Sequence, residues 1–99
     1  MDLDLDNYSD VDIINLLHLP IKENYTLQEL KTNTLDHVKV ITSTEDDVVG
    51  NKRQVTDFFI KAFLRLANNY GLKVDPFEMQ EFESVKAGLL PSLHENHIV

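Results

Sequence analysis

His94 and His97 stand three residues apart with Glu95 between them, a spacing that brings two imidazoles and a carboxylate within reach of one transition-metal ion. A protein zinc site needs at least a third ligand, and no third ligand is evident in the sequence, so no metal is assigned. Glu45, Asp46 and Asp47 concentrate negative charge, but the run lacks the spaced oxygen ligands and central glycine of a calcium loop and reads as a solvated connection. His18 and His37 carry the side chain that titrates nearest neutrality, yet each falls in a helical pattern and reads as a residue at the edge of a core rather than a base or ligand. Ser9, Ser43, Ser84 and Ser92 have neither a glycine-framed elbow nor a histidine at an identifiable spacing. Phe58, Phe59 and Phe63 have the chemistry to stack on bases, but their helical spacing in an acidic chain makes them core. The sequence therefore assigns no catalytic residue, no cofactor and no metal, and the expectation is a non-enzyme.

The element that organises these residues runs from Asn51 to Gly71, where apolar residues keep a helical period for four turns. Val55, Phe58, Phe59, Ala62, Phe63, Leu66, Ala67 and Tyr70 form one face, and Ile60 and Leu64 widen it. Asp57, Lys61, Arg65 and Asn68 fill the narrow strip left for solvent, so neighbours are expected on two sides of this helix. Asn51 is placed to cap it with Gln54, and Gly71 to end it in a left-handed turn.

Three more helices follow from one repeated cap pattern, an apolar residue, a capping residue and an acid three positions on. Tyr8, Ser9, Asp12 and Ile13 predict a helix over Asp10–Leu19, stopped by Pro20, with Ile13, Ile14, Leu16 and Leu17 inward. Tyr25, Thr26, Glu29 and Leu30 open a helix from Leu27 to about Ile41, with Leu27, Leu30, Thr34, Val38 and Ile41 on one face and Leu35 at its edge. Thr32, Asn33 and Thr34 are poor helix formers, so packing must hold its middle. Val74, Asp75, Glu78 and Met79 predict a last helix over Pro76–Ala87 that buries Phe77, Phe82, Val85 and Leu89. The polar stretch 42–50 is long enough to lay the second helix antiparallel to the central one. The expected fold is all-α: a small four-helix bundle over 9–88 around a central antiparallel pair, with an acidic arm at 1–8 and a tail at 89–99.

Ninety-nine residues, 42% of them hydrophobic, suffice for one core. The chain has no cysteine, which removes disulfides and thiolate metal sites and fits an intracellular, reducing location. A net charge of −8 opposes binding to nucleic-acid phosphates or acidic membranes and otherwise reads as solubility; the expected ligands of an interaction module are protein partners. No apolar run reaches the ~18 residues a membrane span needs.

The order short helix, long helix, loop, long helix, short helix resembles a J-domain. Asn7-Tyr8, Leu30-Lys31, Phe59, Ala62-Phe63 and Leu66 are similar to that family's apolar and lysine positions, over about residues 7–70. The family's functional His-Pro-Asp tripeptide would fall at Thr42-Ser43-Thr44 and is absent. Leu35 and Asp36 stand where its helix-two arginine and neighbour would be, and Asn33 and Thr34 replace its alanine and tyrosine, so no chaperone-contact residue carries over. The phrases Asp4-Leu5-Asp6-Asn7-Tyr8 and Leu17-His18-Leu19-Pro20 resemble the degenerate J-like N-terminal domains of proteins from nucleocytoplasmic large DNA viruses. That resemblance implies an interaction or scaffolding module of a larger viral protein or a particle, in host cytoplasm or virion, with a divergent J-type cochaperone as the alternative. Ser92 and Glu95 repeat the cap spacing with little chain after them. The expectation from this is that the chain continues in a longer protein, or that Leu89, Leu90, Leu93 and Ile98 order against a partner.

Overall fold

A computed structural model describes residues 2–43 and 51–88, with the side chain of Asn51 also outside the description. Among the described residues the fold is all-helical, with helices α1 (Asp10–Leu16), α2 (Leu27–Ser43), α3 (Asn51–Asn69) and α4 (Gln80–Ala87), 3-10 turns at Leu5–Asn7 and Pro76–Met79, and no strand. The predicted four-helix bundle is therefore the observed architecture. The expectations for Thr44, Glu45–Asp47, Leu89, Leu90, Ser92–Glu95, His97 and Ile98 fall outside the described residues.

Two of the caps form as the sequence pattern requires. The Ser9 hydroxyl accepts from Asp12 N (3.1 Å) while Asp12 Oδ2 accepts from Ser9 N (2.9 Å). At α2, Thr26 Oγ1 accepts from Glu29 N (3.1 Å) and Glu29 Oε1 from Thr26 N (3.0 Å). Each box satisfies two amide groups that a helix start otherwise leaves unpaired. The third does not form: the Asp75 side chain makes no cap bond, and Glu78 turns away to Lys31 of α2 (3.1 Å). Without the cap, Pro76–Met79 winds as a 3-10 turn and α4 proper begins only at Gln80. This turn carries Phe77 outward, 70% exposed, against the expectation that it is buried, whereas Phe82 is fully buried.

α1 stops at Leu16, short of the predicted Leu19, because a local closure acts before Pro20 does. His18 N donates to Asn15 O (3.1 Å) and Leu19 N to Ile14 O (3.0 Å), the paired bonds of a Schellman end, with His18 in the left-handed region at φ 57°. α3 ends the same way: Gly71 sits at φ 70° and Leu72 N donates to Ala67 O (2.8 Å). At the other end α3 begins at Asn51 itself, so Asn51 is a helical residue and not the residue before the helix.

α2 and α3 form the central pair and run antiparallel. Lys52 Nζ at the start of α3 reaches Thr42 O at the end of α2 (3.4 Å), and at the opposite end Tyr25 meets Tyr70 edge-on with centroids 5.0 Å apart. α2 turns Leu30, Thr34, Leu35 and Val38 into the core, and α3 buries Phe58, Phe59, Ile60, Ala62, Phe63, Leu66 and Ala67. Thr34 tolerates burial in mid-helix because its hydroxyl donates to Leu30 O (2.7 Å). α4 closes one flank of α3 through Phe82 on Phe63 (5.0 Å) and Lys86 on Asp57 (2.8 Å), while α1 and the arm close the other.

Two residues of the predicted solvent strip are thereby drawn out of it. Asp57 is shared by Lys86 and Lys61, and its pKa is held below the ordinary carboxylate value chiefly by the Lys86 hydrogen bond. Arg65 becomes a clasp: Nη1 donates to Leu5 O (3.0 Å), Nη2 to Tyr8 O (2.7 Å), and Nε and Nη2 to Asp10 Oδ1 (3.1 and 2.9 Å). The arm is thus docked on α3, with Tyr8 edge-on to Phe58 at 5.1 Å. Leu64, predicted to widen the apolar face, is 38% exposed and takes part of the vacated strip.

Candidate functional site

A cleft of about 970 Å³ opens where the arm, α1, the second half of α2 and the first half of α3 converge. Each wall comes from a helical repeat. α3 contributes Lys52, Val55 and Phe59, α2 contributes His37, Val40 and Ile41, α1 and its terminal turn give Asp12, Asn15, Leu16 and His18, and the arm adds Asp2, Asn7 and Tyr8. The apolar floor is Leu16, Val40, Ile41, Val55 and Phe59, and the charged groups of the rim are Asp2, Asp12 and Lys52. Val40 is 65% exposed, an apolar side chain left open to solvent inside a concave site.

The rim is built from short local hydrogen bonds. Asp2 accepts from Asp4 N (2.9 Å) and the Asn7 amide (2.7 Å), and those two bonds, the backbone one first, lower its pKa. Asp12 is lowered by the Ser9 backbone amide and then its hydroxyl. Both carboxylates stay ionised over a wide pH range, and among the described residues neither is paired with a cation.

Three rings line one wall in sequence. The His18 and His37 centroids lie 5.8 Å apart and those of His37 and Phe59 4.6 Å apart, so His37 is the middle ring of a contact from the end of α1 through α2 to α3. Burial, and then the charge of His18, push the pKa of His37 below its ordinary value.

The two internal histidines, read separately as boundary residues, are brought together. Among the described residues no group of three or more His, Cys, Asp or Glu side chains is placed to hold a metal ion. Ser9 is spent on its cap, and Ser43 Oγ donates to Val40 O in the last turn of α2 (2.9 Å). Ser84 is exposed on α4. Phe58, Phe59 and Phe63 are at most 3% exposed, core residues as expected. The cleft itself was not visible in the sequence, since its floor mixes residues assigned to the core, such as Val55, with Val40, which no apolar face claimed. No helix among the described residues is long and apolar enough to cross a membrane. No family model, curated protein or solved structure matches this chain.

Proposed function

We propose that the protein is a non-catalytic interaction or scaffolding module whose cleft receives an apolar-faced, basic helical segment of a partner protein. The observation that carries this reading is the open cleft with an apolar floor and a polar rim, a shape suited to a helix laid in a groove. Charge complementarity selects the basic flank: Asp2 and Asp12 border the floor, and the whole chain carries −8. The resemblance of Asp4–Tyr8 and Leu17–Pro20 to viral J-like domains supports a place in a larger viral protein or a particle.

Selection of helical peptides from a random displayed library tests this without a known partner. The selected sequences are expected to share apolar residues at three-and-four spacing flanked by Lys or Arg. Their binding should be lost on Val40→Asp and kept on Phe77→Asp. Peptides that tolerate Val40→Asp, or depend on Phe77, contradict the reading.

The helix order also supports a second reading, a divergent J-type cochaperone. Against it, Thr42 and Ser43 form the last turn of α2 where that family carries His-Pro-Asp. The chain is expected to leave the ATPase rate of Hsp70-type chaperones unchanged in single-turnover assays. An acceleration abolished by altering Thr42 and Ser43 would favour the cochaperone.

A further inference from the structure

The ring contact that forms one wall of the cleft is also where a proton would act. His37 is half-buried between Phe59 of α3 and His18, and it couples the end of α1 to the central pair. His18 holds its place from a left-handed backbone conformation that glycine adopts far more readily, so the end of α1 is a strained closure stabilised from outside. The ionisable groups lining the same cleft are His18 at the end of α1, Asp12 of α1, Asp2 and Tyr8 of the arm and Lys52 of α3, with Asp36 and Lys39 flanking His37 on α2 itself. The carboxylates of Asp2 and Asp12 are engaged by Asp4, Asn7 and Ser9, and among the described residues no carboxylate pairs with His37. Among the described residues, an imidazolium formed there has a second imidazole beside it and no paired carboxylate.

Resting on the reading of the cleft as a docking site, we propose that protonation of His37 breaks the ring contact with His18, loosens the α1 wall and releases the basic occupant, so that docking is confined to neutral pH. The sign is consistent with linkage. The native pKa of His37 is lowered by burial and by His18, while an unfolded histidine titrates near ~6.5. Above that value the group contributes no pH dependence. As pH falls through it, the unfolded or opened form binds the proton first, and the closed wall loses stability down to the native pKa. A bound basic segment adds repulsion in the same direction.

The test combines NMR of the free protein with binding of a designed amphipathic Leu/Lys peptide. On titration from pH 7.5 to 5, the amides of Leu16, Val40 and Val55 are expected to shift with the midpoint of the His37 ring. In His37→Gln that shared transition should vanish. In His18→Gly the midpoint should rise part of the way toward the ordinary histidine value, because burial, the larger cause, remains while the neighbouring imidazole is gone. Peptide affinity should fall ~10-fold between pH 7.5 and 5.5 in the native chain and fall markedly less in His37→Gln, which keeps only His18 as a histidine of the cleft. Cleft amides that ignore the His37 midpoint, a midpoint unmoved by His18→Gly, or the same loss of affinity in His37→Gln would overturn the gate. Failure of the peptide to bind at pH 7.5 would count against the docking reading alone, because the amide titration still decides whether the wall responds to His37.

Discussion

Thr56 shows most plainly how a single side chain sets stability in this bundle. It is fully buried on α3, and among the described residues its hydroxyl has no hydrogen-bond partner, which leaves a desolvated polar atom uncompensated. Valine has nearly the same shape without the hydroxyl. Thr56→Val is expected to raise stability by ~1 kcal/mol, measured as a higher urea midpoint with an unchanged slope. A lower midpoint would mean that the hydroxyl is satisfied after all. Phe63 acts in the opposite sense. It is fully buried at the centre of α3 and packs on Phe82, so Phe63→Ala removes both its own burial and the anchor of α4. The expected loss is about 3 to 5 kcal/mol, a large share of a stability on the order of 5 to 15 kcal/mol. Circular dichroism melts would read it, and an unchanged midpoint would place Phe63 outside the working core.

At the scale of elements, one guanidinium ties both the arm and α1 to α3. Arg65 meets two backbone carbonyls and the Asp10 carboxylate at once, and Asn69 adds donors to both oxygens of Asp10 (3.2 and 3.0 Å). Lysine keeps the charge but cannot span three acceptors as a planar fork. Arg65→Lys is therefore expected to speed amide hydrogen exchange over residues 4–10 several-fold while leaving α3 and α4 protected; unchanged exchange there would show that the Asn69 bonds and the Tyr8–Phe58 contact suffice to hold the arm. The caps at Ser9 and Thr26 were legible in the sequence because both partners lie three residues apart. The Arg65 clasp was not, because its acceptors lie more than fifty residues away in the chain and two of them are backbone carbonyls, which no side-chain pattern records. The end of α1 misled for a related reason: Pro20 is a strong stop signal, but a histidine in a left-handed turn stopped the helix first. Phe77 escapes the apolar face that α-helical spacing predicts because Pro76–Met79 winds as a 3-10 turn.

On the scale of the whole molecule, α3 is gripped by α1 with the arm on one flank and by α4 on the other, and the two flanks are fastened differently. α4 is held by the Phe82 contact and by Lys31 and Lys86, each paired with carboxylates across the interface. The α1 flank is held by Arg65 at one end and by the His18, His37 and Phe59 rings at the other, with the cleft opening beside those rings. On the docking reading proposed for the cleft, the α4 flank is structural and the α1 flank is the one that meets a partner. The most direct measurement is an amide chemical-shift map of the protein with the designed Leu/Lys peptide at neutral pH. If the cleft is the docking site, the largest shifts fall at Leu16, His37, Val40, Ile41 and Val55, with α4 and the turn at Phe77 undisturbed. A footprint centred on Phe77 and α4, or no footprint at saturating peptide, would contradict it.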